Sequence, residues 1–409
     1  MRLAGGWAIA LAAVLVLSLV LAPPTSAPGA VVAEGDASST PLPTPGSSYA
    51  DGDLPEIPHW PPQAGGGAAA ADARRQPLPA ETVDALSAAL DRARRAYGLS
   101  VLGLGVRIGD GSFTAVSGLA RDGITPLGGD SPFGIASITK TFTASIVLQL
   151  VEEGSLSLDD EVAPLLPDVS IPAGVTVEQL LSHTSGIADL LTPMRAPMKA
   201  DPARIWTAPE VLARLGPPRF APGTDYAYSN SNYVVLGLLV ERITGQAFAD
   251  ELSRRLLEPL GLDATGVLTA AGAPPLMTPS WASAFGTSGF MYSSVGDMLD
   301  WSDALYGGHV LRRASLARML SFGEDGYGLG AQRIELGGLT GYGHSGLLQS
   351  FTSLLVRMPD EDVTIALVGS WQGFEPSALL TRRVDGQPAI LDLALGAAGV
   401  PLPTATPVS

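Results

Sequence analysis

The sequence predicts an α/β (α+β) sandwich, in which an antiparallel sheet built from N-terminal and C-terminal strands is flanked by helices and carries a mainly helical inserted region. Residues 102–108 alternate strictly between apolar and other residues, which is the period of a strand. Helical spacing of apolar residues dominates between residues 137 and 306, and strand-like runs return between residues 327 and 368. A chain with strands at both ends packs most simply when those ends meet in one sheet.

The folded region is predicted to open with a helix and a hairpin. The apolar face of the helix consists of Val83, Leu86, Leu90, Ala93 and Tyr97. Gly98 is the expected end of this helix, because glycine adopts the left-handed conformation that terminates helices. After the first strand, Gly109-Asp110-Gly111 predicts a tight turn into a second strand near residues 113–116.

Helices are predicted to fill the middle of the chain. The first of them begins at Ser137 and holds no charged residue between Lys140 and Glu152, which indicates that protein surrounds it on nearly every side. Further helices are predicted over Val177–Leu181, Thr207–Leu215, Tyr233–Ile243, Ser294–Tyr306 and Ala389–Leu395. Strands are predicted over Tyr327–Leu336, Ser350–Met358 and Val363–Val368.

The two ends of the chain differ in composition from the region between them. A positive start followed by an apolar run predicts that residues 1–33 are a signal peptide or a membrane anchor. Residues 34–78 are rich in Pro, Gly, Ser and Ala and are predicted to be a disordered linker, and residues 401–409 a disordered tail. The folded domain is therefore expected at residues 79–400, outside the cytoplasm, either secreted or attached to the cell envelope.

Composition excludes several classes of function. The net charge of −16 argues against nucleic acid or an anionic membrane surface as the main partner, so a membrane is expected to be contacted only through an uncleaved N-terminal segment. Cysteine is absent, which excludes disulfides, thiolate catalysis and cysteine zinc sites. The four histidines show no metal-ligand spacing, and phosphate-binding and dinucleotide motifs are missing. No cofactor or metal is expected.

Lys140 is the most informative residue, because the chain uses arginine almost everywhere and lysine only here and at Lys199. A desolvated lysine loses its proton near neutral pH, and an arginine does not. Ser137 lies one helical turn before it, on the same face. A serine hydroxyl is a poor nucleophile until a base removes its proton. We therefore interpret Ser137 as a nucleophile activated by Lys140, against the alternative of a capping serine and a surface lysine.

A second candidate element follows the Pro222-Gly223 turn. Tyr228 and Asn230 are two residues apart in an extended loop and are expected to point the same way. A tyrosine near Lys140 with a lowered pKa exchanges protons with Ser137 and the leaving group. Asn230 is suited either to bind a substrate amide or to hold Lys140 in place. The alternative is a polar loop with a half-buried tyrosine.

A third candidate element is the glycine-rich run from Gly341 to Leu347, placed just before the predicted penultimate strand. His344 is a candidate donor to a substrate carboxylate, and the backbone N–H of Leu347 is expected to form an oxyanion hole with that of Ser137. The alternative is a glycine-rich hairpin with a surface histidine. His183 is interpreted as a structural residue at a helix end.

These elements, in this order, resemble those of the serine β-lactamase and D-alanyl-D-alanine carboxypeptidase family, particularly its class C-like branch. The runs that carry the resemblance are 133–140, LLSHTSGI, APGTDYAYSNSNYVVLGLLVE, SSVGDM and GHSG. The resemblance implies a β-lactamase/transpeptidase-like fold, an acylated Ser137 and a proton-transfer pair of Lys140 and Tyr228. It also implies that Asn230 binds the substrate amide and that His344, Ser345 and Gly346 form the binding strand of the site.

Two departures bear on the substrate. His344 stands where most β-lactamases of this family carry lysine, so carboxylate binding is expected to weaken as pH rises. Leu347 and the residues after it replace the glycines common in relatives, which favours an apolar acyl or ester group. We therefore expect an exported carboxypeptidase-like or esterase-like serine hydrolase acting on a small-molecule or peptide carbonyl. The alternatives are a β-lactamase and an inactive, penicillin-binding-like binding protein.

Overall fold

The structure is a computed structural model that describes residues 76–120, 124–269, 273–274, 276–348, 351–370 and 376–401. The predicted signal peptide or anchor, most of the predicted linker and all but the first residue of the predicted tail lie outside these residues. No helix within the described ranges has the length and apolar character needed to span a bilayer. The described part begins with Gln76–Pro77 in a strand and Leu78 buried, so the last three residues of the predicted linker belong to the fold.

A seven-stranded sheet is the centre of the fold, in the order β1-β3-β2-β10-β9-β8-β7. Its strands are β1 Gln76–Pro77, β2 Val101–Ile108, β3 Gly111–Gly118, β7 Gln332–Leu336, β8 Leu339–Leu348, β9 Phe351–Met358 and β10 Val363–Ser370. A second, small sheet contains β4 Phe133–Gly134, β5 Gly266–Val267 and β6 Met291–Ser293. In the large sheet β2 pairs antiparallel with β10, which joins the two ends of the domain as the sequence predicts.

Helices lie on both faces of the large sheet. They are α1 Ala80–Ala96, α2 Thr139–Glu152, α3 Val162–Leu165, α4 Val177–Leu181, α5 Leu191–Ala200, α6 Ala208–Leu212, α7 Asn230–Thr244, α8 Phe248–Leu252, α9 Glu258–Leu260, α10 Pro279–Phe285, α11 Val295–Tyr306, α12 Arg313–Met319, α13 Pro376–Thr381 and α14 Ile390–Ala397. Short 3₁₀ turns occupy Ala136–Ile138 and Gly286–Ser288. The predicted cap of Thr207 and Glu210 and the left-handed helix end at Gly245 are both present.

The outer face of the sheet packs against α1, α13 and α14. Alternate residues of β2, such as Leu104 and Val106, point into this apolar core, as the period of two requires. The intervening positions face α11 on the other side. A Cβ at Gly105 would lie 3.0 Å from Leu299, so the absence of a side chain there allows α11 to lie close to the sheet. Arg107 fastens this contact through Asp300 at 2.9 Å and through Asp303.

The helix α2 is the buried centre of the helical region. Eleven of its fourteen residues are buried, which agrees with the absence of charge between Lys140 and Glu152. Phe142 stacks on Trp301 of α11 with ring centroids 3.8 Å apart. Since α11 packs on the sheet and α2 packs on α11, the start of α2 is held at a defined position beside the strands.

Several predicted boundaries were wrong. The helix α2 begins at Thr139 and not at Ser137, which lies in the preceding 3₁₀ turn. The run Gly341–Leu347 is part of strand β8 itself, and not of a loop before it. Asn230 is the first residue of α7, so it does not share an extended loop with Tyr228. Such boundaries depend on which backbone groups find partners in tertiary contacts, which local patterns do not reveal.

Candidate active site

Ser137 stands on a strained turn pressed against the sheet. The residue before it, Ala136, has φ of +48°, a left-handed conformation that a non-glycine residue adopts at a cost. Gly346 of β8 lies directly beside this turn, because a Cβ there would approach the carbonyl oxygen of Ile135 to 2.5 Å. The absence of a side chain at Gly346 therefore lets the backbone of the turn that carries Ser137 lie directly against strand β8.

The amine of Lys140 is fully enclosed and has three neighbours within hydrogen-bonding distance. Its Nζ lies 3.0 Å from Ser137 Oγ, 2.8 Å from Asn230 Oδ1 and 2.7 Å from the carbonyl oxygen of Ser288. The residue is 0% exposed. Charged, the ammonium donates all three of its hydrogens to these oxygens.

Burial lowers the pKa of Lys140 from 10.5 to about 7, and the charge of Asp189 opposes that shift. The neutral amine retains two hydrogens and one lone pair. The carbonyl oxygens of Asn230 and Ser288 can only accept hydrogen bonds, so they take the two hydrogens. The lone pair is then directed at Ser137, which is the arrangement that a general base requires.

Tyr228 is the third group at the nucleophile, and its hydroxyl donates to Ser137 Oγ at 2.9 Å. The expectation of a lowered pKa was wrong: burial raises the pKa of this phenol above its ordinary value of 10. Tyr228 therefore stays protonated in the pH range where Lys140 loses its proton. Of these two partners of Ser137, Lys140 is the base and Tyr228 is the hydrogen-bond donor.

His183 packs against the ring of Tyr228, with the two ring centroids 4.3 Å apart. It is completely buried, and its Nδ1 accepts a hydrogen bond from the backbone N–H of Ser229 at 3.2 Å. Burial lowers its pKa well below 6.5, so the ring is neutral. It makes no hydrogen bond to Ser137 or Lys140 among the described contacts, which agrees with its interpretation as a structural residue.

Asn230 holds Lys140, which is the second of the two roles that its sequence context suggests. Its orientation is determined by Asp189, which sequence reasoning missed. Asp189 Oδ2 accepts hydrogen bonds from the backbone N–H of Asn230 at 2.6 Å and from Nδ2 at 2.9 Å. Because a carboxylate accepts these bonds, the amide oxygen must face Lys140. Asp189 is a single acidic residue after the SHTSG run, and no local sequence pattern indicates that it belongs to the site.

His344 is not a charged ligand for a carboxylate, and that prediction was wrong. It points to the same side of the sheet as Gly346, is 1% exposed, and burial lowers its pKa to about 3. Its Nδ1 lies 2.5 Å from the carbonyl oxygen of Ser345, so this nitrogen carries the hydrogen. Its Nε2 accepts from the hydroxyl of Tyr327 at 2.9 Å. The ring is a neutral part of the cleft wall.

The edge of β8 beyond Gly343 faces the cleft, because β7 begins at Gln332 opposite Gly343. On that edge the backbone N–H of Ser345 donates to Gln332 Oε1 at 2.9 Å. The period of two along a strand places the N–H of Leu347 on the same edge, past the end of β7. The Leu347 side chain is 55% exposed at the rim.

These residues line one cleft with a volume of about 730 Å³. Its lining includes Ser137, Tyr228, Asn230, His344, Ser345, Gly346 and Leu347, so the predicted site residues meet in one place around Lys140. Further lining residues that the sequence did not indicate are Leu191, Arg195, Lys199, Tyr226, Trp281, Phe285 and Gln332. Among the described residues, His, Asp and Glu form no cluster suited to a metal ion.

The chain is similar in sequence to known proteins of one family. The model of the Beta-lactamase family matches residues 80–388. Penicillin-binding protein 4 of Amycolatopsis lactamdurans is 33% identical over 278 residues, which cover 58% of this chain and 72% of that protein. The D-aminopeptidase of Brucella anthropi is 28% identical, and the esterase EstB of Burkholderia gladioli is 34% identical. The matches cover 62% and 45% of this chain, and 52% and 51% of those two proteins, respectively.

Solved structures show the same fold. A D-stereospecific amidohydrolase from Streptomyces sp. is 28% identical with a TM-score of 0.63, covering 73% of this chain and 98% of that one. The D-amino acid amidase from Ochrobactrum anthropi SV3, complexed with L-phenylalanine amide, is 27% identical with a TM-score of 0.64. That match covers 71% of this chain and 91% of the amidase.

Proposed function

Because this chain belongs to the beta-lactamase family and is a serine hydrolase, we propose that it cleaves small esters and amides through an acyl-enzyme on Ser137. The observation that carries the proposal is the convergence of two different groups on one hydroxyl. Lys140 Nζ and Tyr228 OH lie 3.0 and 2.9 Å from Ser137 Oγ, inside a buried pocket. Before substrate binds, the lowered pKa of Lys140 favours its neutral amine near neutral pH, and the raised pKa of Tyr228 keeps its hydroxyl protonated.

In the proposed acylation, Ser137 Oγ bonds to the substrate carbonyl carbon while Lys140 takes the hydroxyl proton. The bond to the leaving group then breaks, and the leaving oxygen or nitrogen takes a proton from Tyr228. Lys140 returns a proton to Tyr228, which leaves the amine neutral again. Water attacks the ester in the second half of the reaction and releases the acid with the same two groups exchanging the proton.

The negative charge that develops on the substrate carbonyl oxygen needs hydrogen-bond donors directed at that oxygen. Ser137 is the second residue of the 3₁₀ turn Ala136–Ile138, and the first amides of such a turn have no carbonyl of their own helix to bind. The N–H of Leu347 lies on the open edge of β8, next to that turn. We assign the oxyanion hole to these two amides, which are the pair that the sequence predicts.

The cleft favours an esterase-like or peptidase-like reaction over β-lactam hydrolysis. Neutral, buried His344 cannot supply, on strand β8, the charge with which a lysine at this position would bind a carboxylate. Apolar side chains of Leu191, Trp281 and Phe285 line the cleft, and Leu347 stands at its rim. These surfaces suit an apolar acyl group or leaving group. The amidase, aminopeptidase and esterase relatives support ester and amide carbonyls as the substrate class.

The test is a side-by-side measurement of turnover on a short-chain p-nitrophenyl ester, a D-Ala-D-Ala peptide and nitrocefin. We expect turnover of the ester or the peptide, slow or no turnover of nitrocefin, and fluorophosphonate labelling that disappears in Ser137→Ala. Fast nitrocefin turnover would assign the β-lactamase alternative. A folded protein that no probe labels and that turns over none of the three substrates would assign the inactive binding protein.

We also propose that the protein is exported, on the basis of the charge and apolar pattern of residues 1–33. Cell fractionation and N-terminal sequencing of the native protein test this. Recovery outside the cytoplasm with a new N-terminus shows a cleaved signal peptide, and recovery in the membrane with an intact N-terminus shows an anchor. Recovery in the cytoplasm would contradict the proposal.

A further inference from the structure

One face of α5 brings two cationic side chains to the active-site cleft. Leu191, Arg195 and Lys199 follow each other at intervals of four residues, so they lie on one side of the helix, and all three line the cleft. Met194 and Met198 are buried and anchor the helix in the core. Lys199 is one of only two lysines in the chain, and the other is Lys140.

Arg195 and Lys199 are exposed, and neither forms an ion pair with a carboxylate of the described residues. Cations that are not neutralised by the protein are available to a ligand. They are the cationic residues among the described lining of the cleft. The chain as a whole carries a net charge of −16, so a local pair of positive charges in the active-site cleft is opposite in sign to the rest of the molecule.

Next to this pair is an apolar surface built by α10. Its residues Trp281 and Phe285 are stacked with ring centroids 5.7 Å apart and line the same cleft. A ligand group placed here meets flat apolar surface and positive charge together. That combination matches an organic carboxylate on an apolar spacer, and not a purely apolar chain.

The neighbouring end of the cleft has a net negative charge. The adjoining pocket shares Tyr226, Gln332 and Ser345 with the main cleft and is lined by Asp325, Glu335 and Arg333, of which Arg333 lies 4.0 Å from Glu335. Its charged side chains therefore carry one more negative than positive charge. An anion is therefore favoured near α5 and disfavoured near β7. This difference in charge between the two ends of the cleft orients a charged substrate.

We propose that Arg195 and Lys199 form a carboxylate-binding subsite, so that the substrates of this hydrolase are esters or amides that carry a carboxylate next to an apolar group. The proposal rests on the proposed function. It moves the charge recognition that the sequence suggests for His344 from strand β8 to helix α5. The two residues determine specificity and take no part in proton transfer.

The experiment compares matched pairs of substrates that differ only in charge. p-Nitrophenyl hemisuccinate against p-nitrophenyl butyrate places the charge on the acyl group. 4-Carboxyphenyl butyrate against 4-carbamoylphenyl butyrate places it on the leaving group. Full-length wild-type protein is compared with the Arg195→Glu/Lys199→Glu double variant, and kcat/KM is measured for all four esters at low and high ionic strength.

We expect the double variant to lose about 10- to 100-fold in kcat/KM on the anionic member of one pair, while the neutral members change by less than about twofold. Added salt should reduce the preference of the wild-type protein, because exposed charges are screened. The matched control is Arg242→Glu/Arg313→Glu, which makes the same change of net charge at exposed positions outside the cleft lining. This control should preserve the preference.

Unchanged selectivity in the Arg195→Glu/Lys199→Glu variant, or an equal loss in the control, overturns the subsite while the hydrolase function stands. If the wild-type protein turns over none of the esters, the proposed function fails on these substrates and the subsite is tested by binding. Calorimetry with 4-carboxyphenylboronic acid and 4-carbamoylphenylboronic acid then gives the readout. A preference for the carboxylate that disappears in the double variant supports the subsite, and equal affinities overturn it.

Discussion

The outer face of the large sheet buries apolar side chains from β2, β9 and β10 against α1, α13 and α14. Towards α2 and α11, by contrast, the protein buries a lysine, two histidines and a strained alanine close to one serine. Hydrophobic burial stabilises the outer face without further conditions. Each polar group on the inner side needs a partner, because an unpartnered buried polar group costs about 1–3 kcal/mol.

The two sides of the sheet therefore have different roles: the outer side contributes stability, and the inner side holds the catalytic groups. The outer core requires only apolar residues of the right volume, and the inner side requires particular atoms in particular protonation states. Residues such as Lys140 and Ala136 are held in costly states by the packing around them, which is typical of catalytic sites. Substitutions on the two sides should therefore fail in different ways.

The largest effect is expected for Lys140→Arg. The guanidinium keeps the positive charge but cannot lose a proton, so acylation should fall by about 10³-fold or more. Stopped-flow acylation with the ester found in the substrate screen measures the rate, and thermal unfolding confirms that the variant is folded. Near-normal acylation in a folded variant would contradict the role of Lys140 as the base.

On the other side of the sheet, Leu104→Ala should reduce stability and spare the chemistry. Leu104 is 0% exposed in the outer core, and removing its branched side chain should lower the free energy of unfolding by about 3 kcal/mol. Urea unfolding measures the loss. The kcat/KM of the folded fraction at 25 °C should stay within about twofold of wild type, and a much larger loss would show that the two sides are coupled.

The pH dependence sharpens the assignment of the base. With the pKa of Lys140 lowered to about 7, kcat/KM on a neutral ester should rise about tenfold per pH unit below 7 and level off above it, since only the neutral amine is active. Neither His344, with its pKa of about 3, nor Tyr228, with its raised pKa, should add an inflection between pH 5 and 8. A flat profile down to pH 5 would exclude Lys140 as the titrating base.

The smallest of the four effects is expected for Asp189→Asn. The carboxylate raises the pKa of Lys140, so its removal should shift the acid limb of the profile to lower pH by about half a unit to one unit. Loss of the charge-assisted bonds to Asn230 should also lower kcat by about tenfold. A purely structural role would lower kcat without moving the limb, which the pH–rate profile distinguishes.

The sequence predicts much of the fold because several of its elements carry a local pattern. The alternation in β2, the charge-free stretch of α2 and the caps at Thr207 and Gly245 each identify an element from neighbouring residues alone. Boundaries such as the start of α2 depend on contacts with distant strands, and these were predicted less well. The pairing of β2 with β10 agrees with the expectation, drawn from strand patterns at both ends of the domain, that those ends meet in one sheet.

The spacing of Ser137 and Lys140 on one helical turn, and the scarcity of lysine elsewhere, determined from sequence alone that a serine and an amine would meet. Only the tertiary structure decided their protonation states. Residues 90 or more positions away, including Asn230 and Ser288, enclose Lys140 and lower its pKa. The same kind of enclosure makes His344 neutral, and the fold brings Arg195 and Lys199 to the cleft. A pKa depends on the distance to water and charge in space, and no pattern of neighbours along a chain encodes that distance.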